Sequence, residues 1–182
     1  MDTYYFDDSE EGIARETSHP FFVSHATADF YYDLGDEFSP FGNDAGADML
    51  FHLQDWFNER IQDEDIITFL LEFLEANHPN NIDYINLRDA NQLNQLDGSK
   101  QIYYNDIDHF IVATAFGQCK ISGVIDIDLF IMADKSLARQ RYFIEKAGQK
   151  ETNHWPYAAQ YLQRIERMQT DLSNMATKKP AD

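Results

Sequence analysis

The chain has 182 residues, with 32 acidic against 14 basic side chains, a net charge of −18 at pH 7 and a pI near 4.4. At 43% hydrophobic and 14% aromatic residues it can build one packed core, and it is too rich in Phe and Tyr for a disordered acidic segment. The charge excludes sequence-independent nucleic-acid binding, since phosphates are repelled, and no run approaches the roughly 18 apolar residues of a membrane span.

Residues 1–18 are polar and acidic and read as a flexible arm preceding the ordered chain. No basic stretch followed by an apolar one opens the sequence, so a secretory signal is not expected. Cys119 is the only cysteine, which removes an internal disulfide and a thiolate zinc site. Both point to the cytoplasm, and Cys119, inside an apolar stretch, reads as a buried small hydrophobe.

Order is expected from His19, where Pro20 disfavours helix at the preceding residue. The run Asp29-Phe30-Tyr31-Tyr32-Asp33-Leu34 fits a short strand or a helical turn, and Ser39-Pro40-Phe41-Gly42 is loop chemistry. A helix follows from Asn43 or Asp44: Met49, Leu53 and Trp56 recur at helical spacing, widened by Leu50, Phe57 and Ile61, with Asn43 as its N-cap. A second opens at Asp63-Glu64-Asp65 and ends at Asn77-His78-Pro79. Its apolar residues cover most of the circumference, which places it at the centre of the core.

Residues 82–104 are ambiguous between a short helix and a turn leading into an extended segment at 101–104. From Asp106 the pattern fits a helix ending near Phe116-Gly117, and Asp126 or Asp128 opens another through Gly148, with Leu129, Met132, Ala133 and Leu137 on one side. In the last helix Tyr161, Ile165, Met168, Leu172 and Met175 form a seam at spacings of four and three, with Asn153 as cap and Pro156 in the first turn. The expected fold is mainly α. It is a single compact domain of about five helices over residues 19–175, with an irregular N-terminal segment and a disordered tail at 176–182. An α+β fold with a small sheet is the alternative.

Charge is uneven along the chain: residues 1–65 carry −15, residues 66–134 carry −7 and residues 135–182 carry +4. Between residues 29 and 48, carboxylates alternate with aromatic rings. Asp29, Tyr31, Tyr32, Asp33, Asp36, Glu37 and Phe41 are therefore the candidate partner-binding residues, with charge to steer a basic protein and rings to anchor it. Phosphate loops, dinucleotide fingerprints, nucleophile elbows and zinc-protease motifs are all missing. The function expected is thus non-enzymatic: an acidic interaction domain for a basic partner, possible roles including an immunity or inhibitor protein against a toxin. No cofactor is expected.

The alternative is a metal-dependent enzyme in which Asp44, Asp48 and His52, spaced i, i+4 and i+8, hold a divalent ion. A weaker metal-like set is Asp126 and Asp128 with Asp106, Asp108 and His109, although aspartates at those positions also serve as helix caps.

The run Asp36-Glu37-Phe38-Ser39-Pro40-Phe41-Gly42-Asn43-Asp44-Ala45-Gly46-Ala47-Asp48, with the aromatic helix to Trp56, resembles the uncharacterised bacterial YfeS-like proteins. A shorter likeness lies at Ala113-Thr114-Ala115-Phe116-Gly117-Gln118. The resemblance implies a small, mostly helical cytoplasmic domain and supplies no reaction.

Overall fold

A computed structural model describes residues 3–59, 64–87, 89–148 and 155–177. Among the described residues there are seven α-helices: α1 (Pro20–His25), α2 (Asp44–Glu59), α3 (Ile66–Asn77), α4 (Ala90–Asn94), α5 (Gln101–Ser122), α6 (Ile127–Gly148) and α7 (Ala158–Thr177). Among the described residues no strand forms, so the mainly α expectation holds and the small sheet does not. The undecided segments are helical turns: Asp29–Tyr32 and Ile82–Asn86 are 3-10 turns, and residues 101–104 begin α5.

The centre of the molecule is α5, which is enclosed by α2, α6, α1 and α3. Residues 110–121 are buried without a break, the signature of a helix surrounded on all sides. This corrects two expectations. First, α3 is peripheral: it buries Ile66, Leu70 and Leu74, while Phe69 and Phe73 only half-cover themselves against α2 and α5.

Second, α5 begins five residues before Asp106 and runs past Gly117. Its first turn leaves Ile102 and Tyr103 exposed, which hid the helical pattern. Gly117 is no stop. A Cβ there would sit 2.7 Å from Leu53 Cδ2, so the glycine lets α2 close on α5. The helix instead ends at Gly123, in the left-handed region at φ 77°, whose amide donates to the Cys119 carbonyl.

Capping follows the sequence elsewhere. Asp65 accepts from the Ile67 amide at the start of α3, and Asp126 accepts from the Asp128 and Leu129 amides at the start of α6. On α6, Leu129, Ala133 and Leu137 are buried as expected. The seam of α7 packs against α6, with Ile165, Met168, Leu172 and Met175 buried. This helix starts at Ala158, two residues after Pro156; Ile61 and the proposed cap Asn153 lie outside the described residues.

The N-terminal segment is not a free arm. The Tyr5 amide donates to the Ile121 carbonyl, Ile13, Thr17 and Ser18 are buried, and Asp7 meets the fully buried Lys120 ammonium at 2.6 Å. Lys120 also donates to the Thr17 carbonyl, and the Gln54 side chain bonds Asp7 through both its oxygen and its nitrogen. A single buried cation on α5 thus ties down both Asp7 and Thr17, the first a contact of |i−j| = 113 that no local pattern reveals. Cys119 is buried beside it, and burial pushes its thiol well above the ordinary range.

Candidate functional site

The segment carrying the family-like run is built inward. Phe41 and Ser39 are buried, and the Gly46 amide donates to Asn43 Oδ1, the expected N-cap of α2. Both glycines of the run permit close backbone approach. A Cβ on Gly42 would lie 2.1 Å from the Asp36 carbonyl oxygen, and one on Gly46 would lie 2.1 Å from the Pro40 carbonyl oxygen. The run is therefore a tight cap that seats α2. Only a few of its side chains face outward.

The candidate partner-binding residues separate accordingly. Tyr31 and Phe41 are core residues at 0% and 1% exposure and cannot anchor a partner, contrary to expectation. The Tyr31 hydroxyl donates to Asp171, and burial beside that carboxylate holds its phenol protonated. Tyr32 is half-buried and donates to the Ala26 carbonyl under the Arg15 guanidinium.

Asp36 receives two hydrogen bonds from Arg164 of α7, and Asp29 pairs with Arg15 at the surface. Part of the negative charge is thus neutralised within the fold. Asp33 and Glu37 remain exposed, with Leu34 between them at 57% exposure. The outer face of α2 adds Asp44, Asp48, Asp55 and Glu59, all exposed and none in an ion pair among the described residues. They form a stripe along the helix beside Phe51, which is 62% exposed.

The metal alternative is not assembled. Asp44, Asp48 and His52 are all exposed, and His52 lies against Phe73 with ring centroids 5.2 Å apart. Among the described residues no three His, Cys, Asp or Glu side chains are placed to hold a metal ion. The second set is dispersed too. Asp126 caps α6, while Asp106 is half-buried near Asp44, its carboxyl raised chiefly by burial.

Asp108 faces the opposite side of α5, where it accepts from Arg139 and from the Tyr84 hydroxyl at 2.6 Å. Burial pushes the Asp108 carboxyl upward against the pull of Arg139. The guanidinium is further held by Ser136 and by the Tyr84 ring face. This cluster is wholly enclosed and joins α5, α6 and the 3-10 turn at 82–86.

Sequence reasoning passed over a second polar chain, from α5 through α7 to α6. His109 Nε2 lies 2.9 Å from the Tyr161 hydroxyl, which donates to Gln140 Oε1 at 2.7 Å. Burial pushes the imidazole down to about 4, so it is neutral at pH 7. With the tyrosine donating to Gln140, the His109 Nε2–H donates to the tyrosine. Gln140 is buried and its amide nitrogen has no hydrogen-bond partner among the described residues. Only the long-range pairing reveals this chain. In the sequence Gln140 shows no spacing that sets it apart, His109 stands out only beside Asp106 and Asp108, and Tyr161 reads as the first residue of a seam.

Among the described residues no helix is long and apolar enough to cross a membrane. No protein-family model and no solved structure matches the chain. It is similar to the uncharacterised protein YfeS of Escherichia coli strain K12, at 37% identity over 143 residues covering 78% of this chain. The match spans about 57% of that relative's length. Over the matched residues the chain is YfeS-like, as the run from Asp36 to Asp48 indicates.

Proposed function

We propose that the chain is a non-catalytic interaction domain whose acidic face binds a basic protein. The observation that carries this reading is the outer face of α2, where four exposed carboxylates without ion pairs among the described residues flank the exposed Phe51. Asp33 and Glu37 add two exposed carboxylates on the loop that precedes α2. Carboxylates in this arrangement steer a cationic partner, and an exposed ring among them supplies apolar contact once the partner has docked. The anchor differs from the one read from the sequence: Phe51 replaces Tyr31 and Phe41, which the core has taken. An immunity or inhibitor role against a basic toxin is the narrower form of the same proposal.

The test uses tagged wild-type protein and an Asp44→Asn, Asp48→Asn, Asp55→Asn variant against extracts of the source organism, followed by kinetics on the purified pair. The expected result is a basic protein retained by the wild type and lost by the variant. Its association rate should fall about tenfold or more from low to high ionic strength while dissociation changes little. A partner that binds the variant equally well, or one whose association rate ignores salt, overturns the proposal.

A further inference from the structure

A cavity of about 480 Å³ opens between α4, α5, α6 and the turn before α7, within the size range of small-molecule sites. Its apolar wall includes Leu93, Leu96, Phe143, Ile144 and Trp155. At its inner end is the uncharged His109–Tyr161–Gln140 chain. Among the described residues the lining's charge is the reverse of the whole chain's: in a protein of net charge −18 the lining ones include no acidic residue, and their one ionic group is Lys146. The Lys146 ammonium is held at the rim by Asn94 Oδ1 at 2.6 Å, and the same oxygen accepts from the Tyr142 hydroxyl.

Gln140 and Lys146 are six residues apart on α6, a rise of roughly 9 Å. The cavity thus offers a cation at its rim and hydrocarbon below it, while the Gln140 amide nitrogen is sealed within the wall and is not open to the cavity.

We propose that this cavity binds a small amphipathic carboxylic acid, its carboxylate on Lys146 and its apolar body along α6. The site is separate from the acidic face and does not depend on it.

Trp155 lines the cavity and is 39% exposed, whereas the other tryptophan, Trp56, is buried in α2, so fluorescence reports on the site. The probes are para-hydroxyphenylpropionate and its primary amide. The wild type should show saturable quenching by the acid below about 1 mM, and should bind it about tenfold tighter than the amide through the charge-assisted contact.

Lys146→Gln, a change at the rim, should abolish the preference for the acid while leaving the amide's affinity in place. Ala147→Phe, which fills the cavity, should abolish binding of both, with helical circular dichroism confirming the fold. The proposal is overturned if the acid gives no saturable change in the wild type, or if Lys146→Gln keeps the preference for acid over amide. Because Lys146→Gln removes no core contact, the second arm stands even if the cavity-filling variant does not fold.

Discussion

The acidic residues of this chain divide into two populations, and the clearest contrast lies between the back of α5 and the outside of α2. On α5, Asp108 is 1% exposed and bound by Arg139 and Tyr84, and Lys120 reaches Asp7 from a fully buried position. On α2, Asp44, Asp48, Asp55 and Glu59 face solvent without a partner among the described residues. Buried charges must be matched or they unfold the protein, so those of α5 are committed to the fold. Charge on α2 is under no such constraint and is free for another molecule. A sequence count of −18 mixes the two.

Breaking the enclosed population should have the largest effect. Arg139→Leu leaves Asp108 buried and uncompensated, and stability to urea should fall by about 3–5 kcal/mol. Replacing both partners, Asp108→Leu with Arg139→Leu, should recover most of that loss, because no lone charge remains. A double variant as unstable as the single one would show that the cluster acts through packing and not through charge.

The His109 chain adds a pH dependence of known sign. Burial lowers the imidazole to about 4 in the folded state against about 6.5 unfolded, so between these values the unfolded state binds more protons. Stability from this group is complete above about pH 6.5 and is lost as the pH falls toward about 4, at most about 1.4 kcal/mol per pH unit. His109→Gln should flatten that part of the profile. Asp106 and Asp108 titrate nearby, with carboxyls pushed upward by burial, and cancel in the difference between wild type and variant. A variant profile parallel to the wild type would mean that His109 is protonated in the folded state.

A smaller effect tests the cap that seats the acidic helix. Gly46→Ala drives a methyl group toward the Pro40 carbonyl oxygen and should cost about 1–3 kcal/mol. Equal stability would show that the loop yields easily and that α2 is not rigidly presented.

Much of the frame was legible because it is local. Apolar periodicity located α2, α3 and α6, and Asn43, Asp65 and Asp126 cap where their chemistry says they should. What could not be read is set by distant pairing. Gly117 looks like a helix stop until Leu53 is seen against it. Residues 1–18 look like a loose arm until Lys120 is seen holding Asp7 and Thr17. Tyr31 and Phe41 have the composition of a binding surface, yet their rings complete the core, Tyr31 beside Phe116 at 5.5 Å. Residue type alone could not say which rings face inward, because α5 decides it from more than 70 positions away.

The smallest expected change in stability concerns the open population. Asp44→Asn, Asp48→Asn and Asp55→Asn together should leave unfolding within about 0.5 kcal/mol of wild type, since these carboxylates are exposed and lie outside the buried network. Removing like charges from one helix face should, if anything, relieve repulsion, most of all at low salt. Should the triple variant instead lose several kcal/mol, α2 would belong with α5 as a structural charge cluster, and the acidic face would no longer be free to meet a partner. Near-neutral stability combined with slower association of a basic protein at low salt is the pair of results that keeps the two populations distinct.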